Sequence, residues 1–318
     1  MLLNIENILR LTQEQLLEFC YNKLIERNYK EKEIIATEDY IYAKGNIPIL
    51  LVAHCDIVHK QAPELIVHDR KQRILWSPTG IGGDDRCGVY ALLKICEQVK
   101  PYILFTTEEE KGGLGVRKFT QEIKDLPVNF IVEIDRKGNE EVVFYKCGNN
   151  DFQNYIMSFG FNKEYGSYSD VSTLSTHYDI AGCNVSAGYY NQHTTTEFIY
   201  MVHLENTIEK VLQILQDGTE PKFYDCQEVK YKPINYNYSY YYDLYDDDYD
   251  ENYYWDYKEQ KYKKRKKLVK QKENYQLDEY WDKMVEKEDD YDTLTDQEWK
   301  DKYGQDKPSN ILEIYKEV

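Results

Sequence analysis

Five places in this 318-residue chain put metal-binding or proton-transferring side chains directly after an apolar, strand-like run or a glycine-rich turn. His54-Cys55-Asp56 follows ILLVA. Asp84-Asp85 lies in GIGGDDRCG, Glu108-Glu109-Glu110 follows YILFTT, Asp135 closes FIVEID, and His193 lies in GYYNQHTTTEF. An imidazole at a strand end can bind a metal, and Asp56 two residues on can hold the other ring N–H and select the tautomer. A carboxylate at Asp84, where glycines allow close backbone approach, can bridge two cations through its two oxygens. Three adjacent carboxylates repel one another, so packing them at the end of a buried strand requires cations or raised pKa values. Taken singly, each motif has a plainer reading. His-x-Asp occurs by chance, Asp84-Asp85 can cap a helix, the Glu triplet can be a solvated turn, and Asp135 or His193 alone is more often structural than catalytic. Their shared position is what matters, because ligand sites of open α/β sheets form at strand ends.

The elements that must position these residues follow from periodicity. Thr12 with Gln15 is a capping-box pattern, and Leu16, Leu17, Cys20, Leu24 and Ile25 repeat at helical spacing to about Arg27. Short β-rich runs come next: EIIATE, YIYAKG, and PILLVAH from Pro48 to His54, the last apolar without alternation as in a strand covered on both faces. A helix is expected from about Arg86 to Val99, buried strands at YILFTT and at Phe130–Ile134, and further helices near Asp151–Phe159 and Met201–Leu215. Strands alternating with helices predict an α/β domain, a mostly parallel central sheet flanked by helices. Residues 1–218 form this expected catalytic domain and 219–318 a Tyr/Asp/Lys-rich, low-complexity tail.

Composition separates the two parts. Eighteen of the 32 tyrosines fall in the last 98 residues, ten of them between 236 and 257, followed by KYKKRKK at Lys261–Lys267. Such a segment has too little aliphatic surface to order itself, so disorder with isolated helices is the expectation, and a protein partner for the tail is left open. A net charge of −17 argues against general affinity for nucleic acid or an anionic membrane and favours metal cations as partners. Seven cysteines without a CxxC pair point to reduced thiols in a cytoplasm. The N-terminus lacks a basic region and a cleavage site, and no apolar run is long enough for a membrane span.

Together the motifs resemble those of the co-catalytic di-zinc exopeptidases, the superfamily that includes peptidase T, glutamate-releasing carboxypeptidases and bacterial leucyl aminopeptidases. HCDIV is similar to that family's HxDxV, GGDDRCG to its G-x-DD-[KR]-x-G, TTEEEKGGLG to its T-x-x-EE-x-G-x-x-G, and NVSAGYYNQHTTTEF to its NLSxGYYNxHTxxE. The match covers roughly residues 45–216. It implies a three-layer zinc-exopeptidase fold and two zinc ions per chain, with Co or Mn as substitutes. His54 and Asp135 would hold one ion, Glu110 and His193 the other, and Asp84 would bridge them. Glu109 would be the general base acting on a water between the metals, because Glu109-Glu110-Lys111-Gly112 matches the family's spacing, and Asp56 would orient His54. A cis bond between Asp84 and Asp85 is also implied.

Asp170 in YGSYSDVSTL resembles a Ser-Asp that lines the substrate pocket in the aminopeptidase branch. Arg136 could meet a substrate carboxylate, and His177 could stabilise an oxyanion or simply lie on the surface. His59, His68 and His203 match no motif and read as structural. Only 30 residues separate His54 from Asp84, and 58 separate Asp135 from His193. Neither gap holds the dimerisation or lid domain that many relatives insert. The expected activity is therefore that of a compact exopeptidase, an aminopeptidase on short peptides, with an N-acyl amino acid amidohydrolase or a non-catalytic scaffold on the same fold as alternatives.

Overall fold

The computed structural model describes residues 3–217 and 222–229, together with the backbone of 253–256 and 261–264. The chain opens with helices α1 (Ile5–Leu9) and α2 (Gln13–Glu26). Thr12 caps α2 with the full reciprocal capping box to Gln15, as its spacing predicts. Strands β1 (Ile34–Ala36), β2 (Tyr40–Ala43) and β3 (Ile47–His54) follow, then the hairpin β4 (Val67–Asp69) and β5 (Ile74–Trp76). Next come α3 (Gly83–Ile95), β6 (Pro101–Thr106), α4 (Leu114–Glu122), β7 (Phe130–Arg136) and β8 (Glu141–Val143). The remainder is α5 (Asn150–Met157), β9 (Asn162–Glu164), α6 (Asp170–Tyr178), β10 (Gly182–Ser186), β11 (Tyr189–Tyr190), β12 (Phe198–Tyr200) and α7 (Met201–Gln216).

Eight strands form one sheet in the order β1-β2-β6-β3-β7-β10-β8-β9. Its central four, β6-β3-β7-β10, are parallel, and the antiparallel pairings lie toward the edges. Successive residues of β3 explain why that strand reads as a continuous apolar run. Ile49, Leu51 and Ala53 pack toward the core of α1, α2, α3, α5 and α7, whereas Leu50 and Val52 pack toward that of α4 and α6. Two layers of helix thus enclose the sheet, and each fully buried Leu or Ile contributes about 1.5–3 kcal/mol. On α7 the buried residues Leu204, Ile208, Val211, Leu212 and Leu215 follow the helical period.

This connectivity creates the crevice. From β3 the chain crosses to β6 on one side, then to β7 and β10 on the other, so the winding direction reverses beside β3. The carboxyl ends of β3 and β7 flank that reversal, and they carry His54 and Asp135. A second, antiparallel sheet, β11-β12-β5-β4, supplies the loop between β11 and β12 on which His193 lies.

Residues 222–229 belong to this unit, which runs from Met1 to Ile234 and so extends past the expected boundary at 218. Isolated bridges join Asp225 to Ile180 and Glu228 to Cys147, and Tyr224 and Cys226 are buried. Within the second unit, β13 (Tyr253–Asp256) and β14 (Lys261–Lys264) pair antiparallel, strand where isolated helices are expected. The expectation of disorder over the rest of 219–318 lies outside the described residues. All seven cysteines are free and buried, and among the described residues no helix is long and apolar enough to cross a membrane.

Candidate metal centre

The last residue of β3, His54, is 1% exposed. Its Nδ1 donates to Asp56 Oδ1 at 3.2 Å, leaving Nε2 to face Asp84 Oδ1 at 3.2 Å and Asp135 Oδ1 at 3.5 Å. On the opposite side His193 Nε2 lies 3.2 Å from Asp84 Oδ2 and 3.0 Å from Glu110 Oε1. One carboxylate therefore meets both imidazoles, each through a different oxygen. The donors fall into two nitrogen-and-oxygen groups that share Asp84: His54 with Asp135, and His193 with Glu110. A nitrogen-and-oxygen donor set of this kind suits divalent transition metals, and the buried Glu110 Oε1 has no partner besides its contact with His193 Nε2. The residues fit a pair of cations.

Asp84 and Asp85 are joined by a cis peptide bond. Asp85 clusters with His54 and Asp135, but its oxygens are taken by the backbone. Oδ1 accepts from Gly88 N–H at 2.8 Å and Oδ2 from His54 N–H at 3.3 Å, so Asp85 fixes the start of α3 against β3, while Asp84 faces both imidazoles. Gly88 allows that approach: a Cβ there would sit 2.1 Å from the carbonyl oxygen of Ile134 on β7. The buried Arg86 donates from Nη1 to the carbonyls of Ile8 and Leu11, each at 2.9 Å, tying the opening helices to the site.

Asp56 does more than orient His54. Its Oδ1 accepts from Glu109 N–H and its Oδ2 from Glu110 N–H, both at 3.1 Å, so one carboxylate sets the imidazole on β3 and the loop after β6. Gly112, at φ +90, closes that loop in a conformation glycine adopts without strain.

Several residues that motif reading leaves without a role complete the shell. Asn184 on β10 clamps Asp135 through its backbone: Oδ1 accepts from Asp135 N–H at 2.9 Å, and Nδ2 donates to Asp135 O at 3.0 Å. Tyr189 donates its hydroxyl to Asp135 Oδ1 at 3.1 Å. Glu133, wholly buried, accepts from the Ser169 hydroxyl and from Val171 N–H. The only signal for them was their place inside the quoted motifs or two residues from a ligand.

The three residues expected at the substrate have different surroundings. Asp170 is fully buried at the start of α6, where Oδ2 accepts from Thr106 Oγ1 at 2.5 Å and Oδ1 has no hydrogen-bond partner. His177 is exposed near the end of α6, edge-on to Tyr178. Arg136 is half-buried after Asp135, its Nε enclosed and without a hydrogen-bond partner. His59 and His203 have defined partners, Glu197 and Tyr190, and His68 pairs with Glu6.

Charge governs how this site loads. The Asp84 and Glu110 carboxylates push the His193 imidazole up to about 10. Burial alone would lower His54, but Asp135 and Asp56 carry it well above the usual histidine range. Burial pulls Asp84 the other way, yet its bonds to His193 and His54 hold its carboxyl well below the usual value. Burial also pushes Asp135 up to about 7 and Glu109 up to about 10, with neighbouring carboxylates adding to both. A histidine raised in the folded state stabilises the metal-free fold fully below about 6.5, and that contribution is lost as pH rises through the folded value. For His193 the window therefore runs from about 6.5 to about 10. An imidazole that ligates a metal must be neutral, so a cation held here would displace these protons. Calorimetric titrations with a divalent transition metal at pH 7 in buffers of different ionisation enthalpy should show net proton release, with apparent affinity rising across that window. Binding heats independent of the buffer would contradict this.

No protein-family model matches the chain, and no curated protein matches it in sequence. Solved structures do share its fold. A tripeptidase from Staphylococcus aureus aligns with a TM-score of 0.56 at 14% identity, covering 67% of this chain and 96% of that one. The aminopeptidase PepT from Bacillus cereus aligns at 0.55 and 12% identity, covering 66% and 96%. An aminopeptidase from the archaeon Desulfurococcus kamchatkensis aligns at 0.50 and 15% identity, covering 68% and 95%.

Proposed function

We propose that this chain is a zinc-dependent exopeptidase of the cytoplasm, an aminopeptidase that shortens small peptides from their free amino end. The observation that carries the reading is Asp84, whose two oxygens each lie 3.2 Å from a different histidine. His54 and Asp135 would hold one zinc ion and His193 and Glu110 the other, with Asp84 common to both; Co²⁺ or Mn²⁺ suits the same donors. When bound, such ions supply positive charge that polarises a peptide carbonyl and acidifies water.

The protein's own groups do the rest. Glu109 is the general base: it takes a proton from the attacking water and delivers it to the leaving amine. Its carboxyl, raised by burial in the metal-free protein, favours the charged form once cations stand beside it. Asp56 holds the Glu109 backbone in place and keeps the His54 ring oriented for its ligand role. Around the ligands lie the further buried carboxyls of Asp85, Glu133, Asp170 and Glu197. Burial raises the carboxyls of Asp85, Glu133 and Asp170, so they supply little charge, and the amino end is assigned as the site of attack from the aminopeptidases of similar fold.

Purified full-length protein should carry close to two zinc ions per chain by elemental analysis. It should cleave dipeptides and tripeptides with a free amine, tolerate C-terminal amidation and reject N-acetylated peptides. Metal content near zero would remove the reading, and turnover of N-acylated substrates alone would replace it with an amidohydrolase.

A further inference from the structure

The turn that presents Asp84 is gripped by a carboxylate to which none of the roles above is assigned. Glu197 lies four residues after His193 on the loop between β11 and β12 and is 1% exposed. Its Oε1 accepts from Asp84 N–H at 3.0 Å and its Oε2 from Gly82 N–H at 2.9 Å. Oε2 also lies 3.1 Å from His59 Nε2. Both oxygens are thus engaged by the protein, which separates Glu197 from the ligands. The turn closes tightly on this pair. A Cβ at Gly80 would meet the His59 ring at 2.2 Å, and one at Gly83 would lie 3.2 Å from Glu197 Oε1.

Buried backbone N–H groups need partners, and a carboxylate is the strongest acceptor available to them. The same short loop therefore does two things: it delivers His193 to one side of Asp84 and holds the backbone of Asp84 from behind. We infer that Glu197, steadied by His59, is the positioning residue for the bridging carboxylate, fixing the Gly82–Asp84 backbone so that Asp84 faces His54 and His193 at once. This rests on the two-metal reading above and adds to it a role for the loop: the side chain that completes the second metal position and the one that aims the shared ligand move together.

The test measures metal binding as well as turnover. In full-length protein, Glu197→Gln offers one acceptor oxygen to two N–H groups and should weaken zinc binding by roughly 10–100-fold in chelator competition, as loss of a partner behind a metal ligand does. The visible spectrum of the Co²⁺-loaded variant should shift, because a misaimed Asp84 changes the coordination of both ions. His59→Ala should weaken zinc binding less, and His59→Gln, which keeps an N–H donor toward Glu197, should recover part of that loss. Glu197→Gln combined with His59→Ala should fall no further than Glu197→Gln alone, since the pair acts as a unit. Parental zinc affinity and cobalt spectrum in folded Glu197→Gln would overturn the inference, as would a lower melting temperature of the metal-free variant with metal binding unchanged. If Glu197→Gln does not fold, the His59 variants decide: His59→Ala with parental affinity overturns it. A parent protein that binds no zinc instead overturns the two-metal reading itself.

Discussion

Glu109→Gln is expected to leave two zinc ions bound per chain and to slow peptide hydrolysis by about 10²–10⁴-fold. The carboxamide matches the carboxylate in shape but cannot accept the water's proton. Metal retention follows from geometry, because the histidines meet Asp84, Asp135 and Glu110 and not Glu109. The backbone N–H that fixes Glu109 to Asp56 is untouched by the substitution. Elemental analysis beside kcat/KM on a free-amine tripeptide separates the two effects. Activity within tenfold of the parent would show that Glu109 is not the base, and loss of metal would make it a ligand.

The second large effect belongs to Asp84→Asn. An amide keeps one carbonyl oxygen and turns its other end into a donor, so it cannot face two imidazoles with two acceptor oxygens. It also removes a negative charge from a centre that must hold two divalent ions. Zinc affinity should fall by more than the roughly 10–100-fold that a supporting residue costs, and stoichiometry should drop below two with activity lost in parallel. In the metal-free variant the His193 imidazole, raised mainly by its bond to Asp84, should titrate at lower pH, which NMR of the ring protons reads directly. Two tightly bound zinc ions in Asp84→Asn would rule out the bridge.

How much of this was legible beforehand depended on the range of the interaction. The capping box at Thr12, the buried run of β3 and the helical stripe of α7 are local patterns, and each element formed where its pattern lies. Short elements were not legible. Strands of two or three residues such as β11 and β12 are not marked by local periodicity: β12 pairs with β5, far away in sequence, and β11 adds on to β12. The candidate ligands were legible because each stands inside a motif that follows a strand-like run or a glycine-rich turn. The supporting residues were missed because their role is contact alone: Asn184 reaches Asp135 across 49 positions, and Glu197 reaches Asp84 across 113. Asp170 is the complementary case. Its expected place at the pocket came from resemblance to a Ser-Asp of the aminopeptidase branch, and what the fold shows is a carboxyl turned inward onto Thr106.

The amino-acid order by itself determined the chemistry available to this protein: two imidazoles and several carboxylates at strand ends, on an α/β framework whose alternating elements imply a parallel sheet. Only the tertiary structure decided that one carboxylate serves both histidines and that Asp56 couples His54 to the Glu109 loop. It also decided that Asp85, beside Asp84, is occupied by backbone amides. The physical reason is that a ligand set is a matter of ångströms between side chains on β3, α3, β7 and two loops. Those distances are set by the reversal of winding beside β3 and by the second sheet that carries the His193 loop, neither of which any local stretch of sequence encodes.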